Sequence, residues 1–287
     1  MGAATTNDTA DAAKGMDTNP WLGRTETCTD QISHNLAVRI AATLGEPTPP
    51  PGGALPLLWH WAYFQQPVQP DGIGQDGHPA RGGFLPPAEG RNRMWAGSRL
   101  EFHAPLRVGV DAHRVSTITR IEEKHGRTGS LLFVTVRHEI SQQGQLALRD
   151  DHDIVYREAT PPKLKDDTPV DEPQWREDVT PTPTLLFRYS AVTFNGHRIH
   201  YDFPYVTEVE GYAGLVVHGP LIATLALRSF VRANPDARVK TFAFRGVRAL
   251  TVPDAFHVGG RITEPGHAQV WAANQQGAAQ RADIEFD

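Results

Sequence analysis

An α+β fold, in which antiparallel strand meanders wrap around helices and the plan is made twice, is predicted by three observations. Four strand-like runs joined by glycine-containing turns follow one another between 99 and 156, and four more close the chain after Thr241. A long helix with almost no polar face begins at Gly219. A polar, proline-rich stretch over 159–183 separates the two arrays. The expected organisation is therefore a leader (1–18), a first half (19–158), a linker (159–183) and a second half (184–287).

Residues 1–18 are Ala, Thr, Asp, Gly and Asn with little to bury, so a disordered leader is expected. Asp30 is placed as the N-cap of a helix over 31–44 that carries Ile32, Leu36, Val38 and Ile40 and stops at Gly45 and Pro47. Prolines and glycines are dense from Pro47 to Gly90. The aromatic segment 57–64 inside them reads as a buried strand or turn within a covering loop. Strands are expected over 99–103, 114–122, 130–140 and 146–156, with turns at Lys124-His125-Gly126 and Gln143-Gly144.

The second half repeats the order: a helix, the long helix, then strands over 241–250, 257–263, 268–274 and 280–286. Its Gln275-Gln276-Gly277 occupies the place that Gln142-Gln143-Gly144 holds in the first meander. Pro220 suits the first helical position because its missing N–H is not needed there. Leu221, Ile222, Leu225, Leu227, Phe230 and Val231 then face every direction until Arg232, and Asn234 before Pro235 ends the helix. One apolar helix wrapped by an antiparallel sheet is a hotdog, and two of them make a double hotdog.

Composition narrows the function. The formal net charge is −5 with scattered Lys and Arg, which leaves no electrostatic footprint for nucleic acid or an anionic membrane. No apolar run reaches the roughly 18 residues that span a bilayer. Cys28 is the single cysteine, so neither a disulfide framework nor a thiolate metal site is available, and the cytoplasm is the expected compartment.

Chemistry concentrates in Phe194-Asn195-Gly196-His197-Arg198-Ile199-His200-Tyr201-Asp202 and Gly214-Leu215-Val216-Val217-His218-Gly219-Pro220. The free N–H groups around Gly219 sit at the positive end of the helix dipole, where an oxyanion can bind, and His218 can add a donor or shape the wall. His197 and His200 fall on one side if their segment is helical, with Asp202 facing elsewhere. His-x-x-His is half of a metal site, but with no cysteine nearby and no evident third ligand no metal is expected.

Both segments resemble the hydratase motif of MaoC-like hydratases and dehydratases, a Ser/Thr-Gly-Asp-x-Asn-Pro-Ile-His run followed by an Ala-His-Gly turn. His200 falls on the motif histidine, Gly219 on the helix-start glycine, and Asn195 on the motif aspartate. Trp59-His60-Trp61, Asp76-Gly77-His78-Pro79 and Arg93-Met94-Trp95-Ala96-Gly97 are similar to a subgroup containing mitochondrial 3-hydroxyacyl-thioester dehydratase type 2 and bacterial mesaconyl-CoA (3-methylfumaryl-CoA) and itaconyl-CoA hydratases.

The resemblance implies a double hotdog whose second half keeps the motif and whose first half has lost it and widens the acyl pocket. It also implies sheets paired within the chain or across a homodimer. The substrate implied is a short branched or dicarboxylic 2-enoyl-CoA, with no cofactor beyond the CoA of the substrate. His200 is then the base and Gly219 N–H the enolate donor. Asn195 can only orient water or the thioester, so Asp202 or His218 is left to supply an acid. Arg93 or Arg198 is expected to neutralise a free carboxylate, with Trp95, His197 and Val217 lining the acyl pocket. The alternatives are a 3-hydroxyacyl dehydratase of fatty-acid synthesis acting on acyl carrier protein, a hotdog thioesterase, and a non-catalytic acyl-thioester binder.

Overall fold

A computed structural model describes residues 20–88, 90–126, 129–158 and 161–287; the expected leader over 1–18 lies outside them. The first strand of the described residues, not expected from the sequence, is β1 (Thr25–Gln31), whose alternating half-buried positions lie along one edge of the sheet. Asp30 belongs to this strand, and its carboxylate accepts the Phe64 N–H at 2.7 Å. Ser33, not Asp30, caps helix α1 (His34–Leu44), accepting from Leu36 N–H. Gly45 closes α1 as expected, at φ 68° with its N–H on the Ala41 carbonyl.

The expected strands are present and longer: β2 (Asn92–Phe102), β3 (Asp111–Gly126), β4 (Gly129–Gln142) and β5 (Gln145–Arg157). Inside the segment read as a linker lies a further strand, β6 (Trp175–Val179), which pairs antiparallel with the later strand Phe256–Glu264. Helices α2 (Pro183–Val192) and α3 (Gly219–Ala233) follow, then β7 (Val239–Gly246), β8 (Phe256–Glu264), β9 (His267–Asn274) and β10 (Gly277–Phe286). Among the described residues no helix is long and apolar enough to cross a membrane.

The strands form one antiparallel sheet in the order β1-β3-β4-β5-β2-β7-β10-β9-β8-β6. Read outward from the β2–β7 seam, the two halves match strand for strand: β2 with β7, β5 with β10, β4 with β9, β3 with β8 and β1 with β6. The Gln-Gln-Gly turns fall between β4 and β5 and between β9 and β10, which are equivalent places. The double hotdog thus pairs its sheets within one chain, through antiparallel contacts from Gly97↔Arg245 to Glu101↔Thr241. Gly97 is required there, because a Cβ would lie 2.2 Å from the Phe244 carbonyl oxygen.

What the two halves of the sheet enclose differs. α3 is buried along nearly its whole length, from Leu221 to Phe230, and packs on β6, β7, β8, β9 and β10. In chain order α1 corresponds to α2, against which it packs; the place of α3 is taken by the irregular segment 45–88. That segment contributes a 3₁₀ turn, Trp59–Ala62, and buries Leu55, Trp59, Tyr63 and Phe64 with Ile32, Ile40, Leu106 and Leu148. Near the other end of α3, Arg228 bridges Glu46 (3.0 Å) and Glu177 (2.6 Å), so one guanidinium ties the end of α1, β6 and α3 together.

Candidate active site

The segment after α2 turns sharply at Phe194 (φ 50°) into an Asx-type turn, in which the Asn195 Oδ1 accepts the His197 N–H at 2.9 Å. A 3₁₀ turn, Arg198–His200, then brings His197 and His200 to one side, with ring centroids 5.5 Å apart and planes at 89°. The grouping expected from their spacing is therefore present. His200 is 6 % exposed, and its Nδ1 lies 2.7 Å from the Val216 carbonyl oxygen. A carbonyl only accepts, so Nδ1 carries the proton and Nε2 is left with its lone pair.

Val216 is itself held by its N–H on Ile199 O, and Val217 by its N–H on Leu250 O. This short extended stretch delivers the chain to His218, the N-cap of α3. His218 is fully buried and stacks on His200, with ring centroids 3.5 Å apart and planes at 17°. Its Nε2 is 2.8 Å from the Ser190 Oγ, the Tyr189 ring meets it edge-on, and its Nδ1 has no partner among the described residues. No side chain among the described residues caps α3, and Ile222 N–H is bonded to His218 O. The N–H groups of Gly219 and Leu221 therefore mark a site for developing negative charge. A Cβ on Gly219 would meet nothing within 4 Å, so open space lies against the helix start. His200 and the α3 terminus are thus joined through His218, one residue before Gly219.

Burial sets the electrostatics. Loss of solvent lowers the His200 pKa to about 3, against the opposing bond to Val216, and lowers His197 to about 3 as well. His218 is pushed down by burial and then by the neighbouring charge of His200. All three rings are therefore neutral near pH 7.

Other candidate residues lie elsewhere. Asp202 is held by Arg198, at 2.9 Å to Nε and 2.8 Å to Nη2, and also accepts the Tyr205 N–H. Arg198 further donates to Gln75 O and stacks over the Tyr205 ring at 4.1 Å. This ion pair satisfies both groups, so it corrects the expectation of Asp202 as a free acid and of Arg198 as a free carboxylate clamp. Arg93, on β2 opposite Tyr156 and bonded to its hydroxyl, has no carboxylate partner among the described residues, and its charge contributes to lowering both His78 and His197. Trp95 packs with Trp61, His152 and Phe244, and Val217 is in the core of the second half. Trp61 and Tyr189 share a narrow crevice of about 10 Å³ with Leu58 and Thr224. A separate hollow of about 240 Å³ over β7, β9 and β10 is lined by Phe244, Arg245, Trp271 and Arg281 and by no motif residue.

Two features of the site are not placed by the sequence. Tyr189 and Ser190 at the end of α2 back His218; both are ordinary helix residues with no signal of their own. The second is the loop 74–79, which reaches from the first half onto the motif: Arg198 N–H donates to Asp76 O at 2.9 Å, and Gly77 (φ 87°) lies so close to Gly196 that a Cβ would come within 1.9 Å of its oxygen. The sequence marked Asp76-Gly77-His78-Pro79, but spacing alone does not show where a loop lands.

A double hotdog with a buried neutral histidine beside an uncapped helix start has the two groups a hydro-lyase needs, a base and a donor for enolate charge. The chain belongs to the hydroxyacyl-thioester dehydratase type 2 family, whose model matches residues 58–252. It is 46% identical over 236 residues to a mesaconyl-C(4)-CoA hydratase of Chloroflexus aurantiacus, covering 80% of this chain and 84% of that protein. It is 28% identical over 215 residues to the mitochondrial hydroxyacyl-thioester dehydratase type 2 of Schizosaccharomyces pombe, covering 65% and 71%. The fold matches a MaoC-like dehydratase from Phytophthora capsici with TM-score 0.69 at 13% identity, covering 95% of this chain and 99% of that one.

Proposed function

We propose that the protein reversibly hydrates the double bond of a short branched or dicarboxylic 2-enoyl-CoA, of the mesaconyl (3-methylfumaryl) or itaconyl type. The observation that carries this reading is the fixed tautomer of His200, with Nε2 free and the ring stacked on the residue that begins α3. Nε2 takes a proton from water as the water oxygen bonds to the β-carbon. The π electrons move onto the thioester oxygen, where the Gly219 N–H receives the enolate charge. Return of the electron pair and protonation of the α-carbon complete the addition. Dehydration is the same path reversed, which is the direction named for the yeast relative.

The dicarboxylic preference rests on Arg93 and on the name of the Chloroflexus relative. A guanidinium that faces the histidine cluster, lies on the Tyr156 hydroxyl and has no carboxylate partner among the described residues can take a free carboxylate through two N–H groups. A panel of enoyl-CoA thioesters, followed by loss of conjugated-thioester absorbance and mass detection of the hydrated acid, tests the function: turnover of mesaconyl-type substrates supports it, and release of CoA thiol without hydration refutes it. Arg93→Ala is expected to lower kcat/KM on dicarboxylic substrates by roughly 10–100-fold, the worth of one charge-assisted bond of about 1.5–3 kcal/mol, while crotonyl-CoA changes little. Equal losses on both would remove the carboxylate clamp.

A further inference from the structure

Resting on that reading, we propose that Asp76 and His78, carried over from the first half, form the second proton-transfer pair of the site. Addition of water needs a stop for the proton between the β-carbon step and the α-carbon step. Asn195 cannot exchange one, and its Oδ1 already accepts from His197 N–H. Asp202 is held by Arg198. The loop 74–79 supplies what is missing. Asp76 accepts from the His78 N–H at 3.0 Å through Oδ1 and lies 3.2 Å from His78 Nδ1 through Oδ2, which directs Nε2 away from the carboxylate.

The His78 ring lies 4.1 Å from that of His197, which stands 5.5 Å from His200, so three imidazoles lead from the base to one carboxylate. The seat is specific: backbone and side chain of Arg198 bind Asp76 O and Gln75 O, and Gly77 and Gly196 pack without side chains. Among the described residues Asp76 is the carboxylate bonded to this histidine row, where an imidazolium can be neutralised. Burial alone would raise its carboxyl, and the bonds from His78 outweigh that and hold it ionised. The other charges facing His78 are positive, Arg93 and Arg81.

The step balances. A proton leaves water for His200 Nε2, is relayed through water along the His197 ring to His78, and from His78 goes to the α-carbon. One O–H bond and the π bond are lost, O–Cβ and H–Cα bonds are made, and all three rings end neutral. Asp76, His78 and His197 could also collect a divalent cation, since one ligand atom from each lies within 4.8 Å of the others. The nearby Arg93 charge opposes one.

The test compares Asp76→Asn and His78→Gln with the unmodified protein on the best substrate of the panel, with melting temperature and circular dichroism measured alongside. Asn at 76 keeps the acceptor for the His78 N–H, so the loop stays seated. Expected are losses in kcat of about 100-fold or more, KM within about threefold, and an unchanged melting temperature. For Asp76→Asn the acid limb of the kcat profile moves to lower pH, because an imidazolium without its carboxylate gives up its proton more readily. A purely structural loop would change melting temperature and leave that limb in place. Variants keeping more than half the activity with the original profile overturn the pair, as does loss of activity on chelation that Zn²⁺ restores. If the unmodified protein hydrates no enoyl-CoA, the functional reading itself falls and takes the pair with it; if it does and the variants are unaffected, only the pair falls.

Discussion

Replacing His200 by Ala is expected to lower kcat for enoyl-CoA hydration by about 10³-fold, within the range of a positioned general base. His200 is the ring of the stacked pair whose accepting nitrogen is defined by a hydrogen bond on the other side. Its loss also leaves the buried Val216 carbonyl without a partner, which costs roughly 1–3 kcal/mol of stability. His200→Gln separates the two effects: the side-chain amide can still donate toward Val216 but cannot take a proton. Both variants are expected to be nearly inactive, with the Gln form closer to the parent in melting temperature. The measurement is the initial rate of absorbance loss of the conjugated thioester at saturating substrate. Activity within tenfold of the parent in a folded variant removes His200 as the base.

Gly219→Ala carries the second large effect, and here fold and chemistry come apart cleanly. Gly219 has no left-handed backbone requirement, and an added Cβ touches no protein atom within 4 Å. Alanine is also the better helix former, by roughly 1 kcal/mol in a helix interior. The variant is therefore expected to fold with an equal or higher melting temperature. The methyl group, however, enters the space against the free N–H groups of α3 and displaces the thioester oxygen. A misplacement of about 1 Å costs on the order of 10²-fold, so kcat/KM is expected to fall by that factor. A stable variant of unchanged activity would place the oxyanion elsewhere.

Much of the second half was legible. Pro220, the all-round apolar helix and Asn234-Pro235 give the limits of α3 directly, because the residues that start and stop a helix act locally. The His197 and His200 spacing gave their common side for the same reason. The missed strands, β1 and β6, lie at the two edges of the sheet, where one neighbour is enough and the hydrophobic alternation is weak. An Asp before an apolar run is a valid local N-cap signal, but the tertiary bond from Phe64 N–H claims the Asp30 carboxylate instead. The Arg198–Asp202 pair is four residues apart and could have been anticipated from spacing. The landing of Asp76 and His78 on the motif could not, since it depends on how 45–88 fills the place that α3 takes in the other half.

The most direct test of the central claim is a crystal structure with a saturated, non-hydratable acyl-CoA. The account predicts its thioester oxygen about 2.7–3.1 Å from the Gly219 nitrogen, its β-carbon facing His200 Nε2 across room for one water, and a free carboxylate, where present, on Arg93. An acyl chain that runs away from His200, or a thioester oxygen bound at any group other than the start of α3, would contradict it.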